Sequence, residues 1–447
     1  MVSVLPWACF LLLILHICYG IAPNLGDAPQ QSLFFLGGSV AFFTGLLVLF
    51  LFCALGRDPM DGFRLSDRGL QLFCTGAAAA VICSSLFFSF PNAIAMPAIF
   101  AFAVLSGLLW WRGGMVYLVH GAVAAGVLLL AVKGLGPEFP LTVASDMLPV
   151  IKWANMEFLA GRNPYFEDYT AVTPGPFYYL PVQWLLYLPF EGLGLDQRLL
   201  NLLSLVGCLA LFMLALRGNP HRVACLAGLA ALFASRPAVE MIARGHVWPV
   251  WLIVSGYAAA FTADRKMLAA VLLGVLLATN QTFVLLFALV GVYDLRNAGL
   301  RRAVLLGLIS LGVYAVIVLP FSRGPIDFMI QYYIELPRLA GVSAERQHNA
   351  VLQMSVVRII TALGIGDLRQ GLQVLCGVIG LATIAAHRTL RPPHFLALAG
   401  VIYLFVVALN VQIWKYYYIP GFWLILWSVA GGTSGRAFPG LNRATIH

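Results

Sequence analysis

The sequence predicts an all-α polytopic membrane protein, on three observations. Hydrophobic residues make up 61% of the 447 residues, charged residues only 10%, and long apolar stretches recur along the chain. A soluble globule carries about 25% charged residues, so this chain lacks the charged surface that a water-soluble fold of its size needs. Crossing the hydrocarbon core of a bilayer takes about 20 apolar residues per helix, and the mean hydropathy of +0.90 leaves room for many such helices.

Taken in order, the apolar intervals fall at residues 5–20, 33–55, 70–90, 95–111 and 114–133. After a long polar stretch they resume at 197–216, 222–235, 246–262, 267–279 and 280–293, and end with 303–320, 371–386, 395–410 and 414–431. They predict about 13 or 14 crossings, some too short to be simple spans. The first interval reads as a signal peptide or a span, and the lack of a basic leader and of a small-residue cleavage pattern favours the span. Residues 267–293 are too short for two full spans and carry Asn280-Gln281-Thr282 in their middle. They read either as two short helices meeting at a polar break, an arrangement tolerated where it lines a protein-enclosed cavity, or as one span. The whole is one membrane domain. Residues 1–113 are extra N-terminal transmembrane helices, 114–133 the span ahead of the first large loop, 134–196 that loop, 197–320 further helices, 321–370 a second loop, and 371–447 the C-terminal helices.

Charge orients the bundle. With Arg57, Arg64, Arg68, Arg112, Arg217, Arg222, Arg265, Lys266, Arg296, Arg301, Arg302, Arg388, Arg391, Arg436 and Arg443 on the cytoplasmic side, every short basic connection falls on one face. The 134–196 and 321–370 loops then face outward, in a multi-pass protein of the cell membrane. The net charge of +9 does not point to nucleic acid, because the basic residues occur singly or in pairs and never as a long run. All eight cysteines lie in apolar segments, which argues against disulfides and thiolate metal sites.

Chemistry is to be sought in Ser145–Pro181, SDMLPVIKWANMEFLAGRNPYFEDYTAVTPGPFYYLP, where acids, aromatics and prolines gather in an otherwise lipid-compatible chain. Ser145 or Asp146 starts a helix, with Pro149 inside its first turn. Met147, Ile151, Ala154 and Phe158 form one apolar stripe, Lys152 and Asn155 lie off it, and Gly161 ends it. An amphipathic helix of about 15 residues beside a membrane is expected to lie along the interface, with Asp146 at the lipid–water boundary. Asn163-Pro164 and Thr173-Pro174-Gly175-Pro176 then enforce turns.

The order Asp146, Trp153, Gly161-Arg162-Asn163-Pro164-Tyr165 and Tyr179-Leu180-Pro181 resembles the first extracytoplasmic loop of polyprenyl-phosphate-sugar-dependent glycosyltransferases of GT-C architecture. The similarity is to the mannosyltransferase-like glycosyltransferase family 87. Weaker similarities follow. Asn349 and Arg358 match an Asn…Arg segment, although Ala350-Val351-Leu352 replace the glutamine and serine, and Trp414-Lys415-Tyr416-Tyr417 carries tyrosines where the family has histidines. The likeness spans residues 114–430, and residues 1–113 exceed what the family places ahead of its aspartate. It implies a GT-C-like bundle with short interfacial helices in two long outer loops. It also implies transfer of a sugar, mannose foremost, from a polyprenyl monophosphate to a glycan or glycolipid acceptor, with Asp146 as general base.

That chemistry needs a base for the acceptor hydroxyl and cations for the departing phosphate. Arg358, Arg244 and Lys415, each near the outer end of an apolar helix, are the phosphate candidates; snorkelling is their plainer reading. Tyr165, Tyr179, His246, His348 and Asn349 are candidates for the sugar or acceptor, against interfacial belts and helix caps. Glu157, Glu167 and Asp168 compete with Asp146 as base. No cofactor is called for; Glu167 and Asp168 are weak candidates for Mg²⁺ or Mn²⁺, adjacent acids in a turn being more often merely solvated. A transporter, suggested by the span count and the break at Asn280, and a lipid-linked glycan ligase or polymerase are the alternatives.

Overall fold

A computed structural model describes residues 4–21, 28–55, 67–89, 92–136, 147–166, 177, 179–321, 359, 363, 368–387, 390–409 and 415–431. The chain is an all-α polytopic membrane protein, with no strand among the described residues. Five helices precede the first loop: α1 (Val4–Ile21), α2 (Ala28–Leu55), α3 (Asp67–Ser89), α4 (Asn92–Gly113) and α5 (Met115–Leu135). The loop contributes α6 (Met147–Leu159), α7 (Pro181–Leu185) and α8 (Leu188–Gly192). The bundle continues with α9 (Arg198–Ala215), α10 (Arg222–Ala234), α11 (Arg236–Arg244), α12 (Trp248–Thr262), α13 (Lys266–Leu277), α14 (Phe283–Ala298) and α15 (Leu300–Val318). It closes with α16 (Arg369–Ala386), α17 (Pro392–Ala408) and α18 (Ile419–Ala430).

Each expected apolar interval contains a helix among the described residues. Among the described residues, six helices are long and apolar enough to cross a membrane, seven if a bent pair counts as one span, and other apolar helices are shorter, at 10–17 residues. The bent pair is α10 and α11, inclined at 54°. Ser235-Arg236-Pro237 causes the bend, because proline in the first turn of α11 starts a new helix and removes one N–H from the old ladder.

The interior is built from α1, α10, α12, α17 and α18, whose fully buried side chains include Trp248, Trp251, Trp423, Trp427 and Phe233. Lipid tails are as apolar as these side chains, so close packing and interhelical hydrogen bonds must hold the bundle together. Gly400 and Gly421 let α17 and α18 touch backbone to backbone; a Cβ on Gly400 would lie 2.6 Å from the Gly421 carbonyl oxygen. By contrast, only 6% of the apolar stretch of α4 is buried, which puts that helix at the periphery.

The first apolar interval is a core helix. Leu5, Leu12 and Leu15 of α1 are fully buried, and His16 joins three helices. Its Nδ1 accepts the Arg236 backbone N–H at 3.0 Å and its Nε2 pairs with Ser84 Oγ at 2.5 Å. His16 thereby satisfies one of the orphan donors at the start of α11.

Candidate functional site

The 134–196 loop is fastened at its base and seated on two interruptions of the bundle. At the base, Arg198 donates to both carboxylate oxygens of Asp196 and, through Nη1, to the Gly136 carbonyl oxygen at 3.2 Å, tying the start of α9 to the end of α5. Burial alone would raise the Asp196 carboxyl, and the side-chain and backbone hydrogen bonds from Arg198 outweigh it, holding the group below its ordinary range.

Helix α6 ends as its sequence requires. Gly161 takes φ +79°, the Gly161 N–H donates to Phe158 O and the Arg162 N–H to Glu157 O, which is the Schellman pattern with glycine at the left-handed position. The same turn brings Arg162 onto the Glu157 carboxylate, and that hydrogen bond holds Glu157 below the usual carboxylate range. Glu157 is therefore paired with Arg162 at the end of α6. Asn155 departs from its expected place off the buried stripe, for it is fully buried. The reason is that α7 and α8 also pack on α6, covering more than one stripe. Neither amide atom of Asn155 has a hydrogen-bond partner among the described residues. The exposed face of α6 carries Trp153 and Met156 beside Lys152.

Beyond α6, Asn163 accepts the Tyr165 N–H at 3.1 Å, and its amide reaches the Phe321 carbonyl at 3.4 Å. Tyr165 in turn donates to the Tyr179 carbonyl oxygen at 2.6 Å and accepts from Trp184 Nε1 at 3.1 Å. Tyr165 and Tyr179 are thus held in one aromatic cluster with Phe177, Trp184 and Phe321. The Tyr179 ring lies against His246, with centroids 4.4 Å apart.

His246 occupies the turn between α11 and α12. Asn201 of α9 holds this turn by donating to Ile242 O at 2.9 Å and Gly245 O at 2.8 Å, while its own oxygen accepts from Tyr187 of the loop at 2.5 Å. These hydrogen bonds join loop, α9 and the end of α11, and Asn201 satisfies carbonyls that the helix terminus leaves over. In its neutral form the imidazole of His246 offers one donor and one acceptor. Its Nδ1 has no hydrogen-bond partner among the described residues.

Arg244 ends the short α11, along which Arg236, Glu240 and Arg244 recur every four residues, and α10 with α11 can be counted as one bent span that Arg244 closes. The 3₁₀ turn Lys415–Tyr418 packs against α11, so the backbone of Lys415 belongs to the same neighbourhood. The buried Lys133, in the last turn of α5, adds a cation to a helix that also packs on α11.

The second interruption is residues 278–282. Two short helices meet there, as the polar Asn280-Gln281-Thr282 suggested, and Asn280 shapes the turn between them by accepting the Thr282 N–H at 2.9 Å. The loop docks on this break through the Val182 N–H, which donates to Ala278 O at 3.1 Å.

Of the sequence candidates, the structure brings Tyr165, Tyr179 and His246 together, with Arg244 two residues away. Asp146, Glu167, Asp168, His348, Asn349 and Arg358 lie outside the described residues, as does the side chain of Lys415. No group of three His, Cys, Asp or Glu side chains able to hold a metal ion occurs among the described residues. Sequence reasoning missed Asn201 and Tyr187; a lone asparagine inside an apolar helix was the available signal. Comparison with protein-family models, with characterised proteins and with solved structures finds no match to this chain in any of the three.

Proposed function

We propose that the protein is a glycosyltransferase similar to the GT-C family 87 enzymes, moving a sugar, mannose foremost, from a polyprenyl monophosphate to a glycan or glycolipid acceptor at the outer face of the membrane. The observation that supports this reading is the seating of Tyr179, held in place by Tyr165, against His246 two residues from Arg244, in a loop docked on an interrupted helix pair. Aromatic faces, an imidazole with a free polar edge and a half-buried arginine are the groups that a sugar phosphate requires. In the proposed reaction the Asp146 carboxylate takes the proton of the acceptor hydroxyl as its oxygen attacks the anomeric carbon. The bond from that carbon to the phosphate oxygen breaks with inversion, and Arg358, Arg244 and Lys415 receive the charge of the departing lipid phosphate. Glu157, already paired with Arg162, takes no part.

The test compares wild type, Asp146→Asn and Glu157→Gln in transfer from a short-chain polyprenyl phosphate sugar. Asparagine caps a helix as well as aspartate but takes no proton, so Asp146→Asn loses about 100- to 10,000-fold in turnover at unchanged detergent melting, and Glu157→Gln keeps its activity. Collapse in Glu157→Gln with transfer retained in Asp146→Asn would move the base to Glu157. Full activity in both variants would end the catalytic reading of the loop.

The interrupted helices also favour a second reading, a transporter that binds its substrate at the breaks. Uptake into proteoliposomes without sugar transfer would decide for it.

A further inference from the structure

At the other end of α12 and α13 a cavity of about 260 Å³ opens between α12, α13, α14 and α15. It is larger than the roughly 150 Å³ that admits a benzene ring. Its walls are apolar except at one end, where three buried polar atoms have no hydrogen-bond partner among the described residues: Tyr257 Oη, Lys266 Nζ and Asp294 Oδ1. The Lys266 ammonium stands 3.9 Å from the carboxylates of both Asp294 and Asp264, too far for a hydrogen bond. Its remaining contacts are the faces of Phe261 and Tyr293. Arg302 is near enough to act electrostatically on both Lys266 and Asp294. Deeper in the cavity, Ser310 is already satisfied by Ala270 O and Leu306 O, so the inner wall asks for nothing polar. The rim residues Leu300 and Val304 are 67% and 49% exposed.

Two donors and one acceptor at the mouth of an apolar slot describe an amphiphile whose head carries both anionic oxygens and a hydrogen-bond donor. We infer that this cavity binds a glycerophospholipid of the phosphatidylglycerol type. Its phosphate meets Lys266 and Tyr257, a head-group hydroxyl donates to Asp294, and one acyl chain enters the slot. The basic surroundings, Arg265, Arg296, Arg301 and Arg302 against Asp264 and Asp294, favour a net-negative head over a neutral one. The cavity is separate from the proposed sugar site. The 12 residues of α13, roughly 18 Å of helix, lie between Lys266 and the break where the loop docks.

The experiment is thermal unfolding of delipidated protein in detergent, with added dioleoyl-phosphatidylglycerol or dioleoyl-phosphatidylcholine at equal mole fraction. Choline heads carry the phosphate but no donor. Wild type gains several degrees more from phosphatidylglycerol than from phosphatidylcholine, and native mass spectra retain the former lipid. The gain disappears in Lys266→Gln and in Gly291→Leu. Gly291 lines the cavity and a Cβ there would meet nothing within 4 Å, so leucine adds bulk at the cavity wall with room for its first side-chain atom and keeps the fold testable even if Lys266→Gln unfolds. Equal gains from both lipids, or a gain that survives Gly291→Leu, would overturn the inference. So would preferential stabilisation by a polyprenyl phosphate lost in the same variants, which would assign the slot to that lipid. Sugar transfer is not the readout, so the outcome stands apart from the proposed activity.

Discussion

The ring of Tyr179 meets the imidazole of His246 edge to face, with centroids 4.4 Å apart and planes inclined at 69°. Tyr179 comes from the first large loop and His246 from the turn between two bundle helices, so this contact, with Tyr187–Asn201 and Val182–Ala278, registers the loop on the membrane domain.

The contact separates two roles of Tyr179. Tyr179→Phe keeps the ring pair, and its melting temperature stays near that of wild type. Tyr179→Ala removes a buried ring, which costs about 3 to 5 kcal/mol in a well-packed site, and lowers the melting temperature clearly. If the hydroxyl handles sugar, Tyr179→Phe raises the KM for donor or acceptor while melting stays unchanged. An unaltered KM in Tyr179→Phe would confine Tyr179 to packing.

The Asp196–Arg198–Gly136 clasp has a defined pH dependence. The folded Asp196 carboxyl lies below its unfolded value, so the ionised group contributes stability that is present above the unfolded value of about 3.9. That contribution is lost as the pH falls through the folded value. Between about pH 7 and about pH 3 the wild-type melting temperature therefore drops further than that of Asp196→Asn. At neutral pH the variant is less stable by about 1 kcal/mol, the upper range for a partly exposed ion pair. Parallel melting curves would show that the clasp contributes nothing.

How legible this fold was depends on the length of each pattern. Long apolar stretches announced their helices, because 18 to 28 residues of nearly uniform hydrophobicity (α1 and α2 are examples) admit no other membrane structure. Gly161 announced the end of α6 through the one backbone conformation that glycine takes freely. The 278–282 break was readable from Asn280. Helix α11 was not read, because residues 236–245 fall between two apolar intervals; the four-residue spacing of Arg236, Glu240 and Arg244 was the helical signal. Asn155 was assigned to the wet side because periodicity reports one buried face, and it is silent about short helices such as α7 and α8 that cover another. The pairing of Tyr179 with His246, 67 positions apart in the chain, is a tertiary contact that no local pattern encodes.

Arg244 offers the sharpest separation of a chemical from a structural role. A cation in the last turn of a helix stabilises it by about 0.3 to 1 kcal/mol whatever else it does, so Arg244→Ala loses a little melting temperature on either reading. A phosphate ligand loses more. One charge-assisted contact contributes about 1.5 to 3 kcal/mol, which corresponds to a rise in donor KM of roughly 10- to 150-fold. Arg244→Lys keeps the charge and forfeits the two parallel N–H bonds, and its donor KM falls between wild type and the alanine variant. Arg358 is probed by the same pair of substitutions. If both arginines hold one phosphate, the double alanine variant departs from additivity, since residues that share a partner couple by about 0.5 to 3 kcal/mol. Additive losses would assign them to different groups, and an unchanged donor KM in Arg244→Ala would leave Arg244 as the terminal cation of α11 alone.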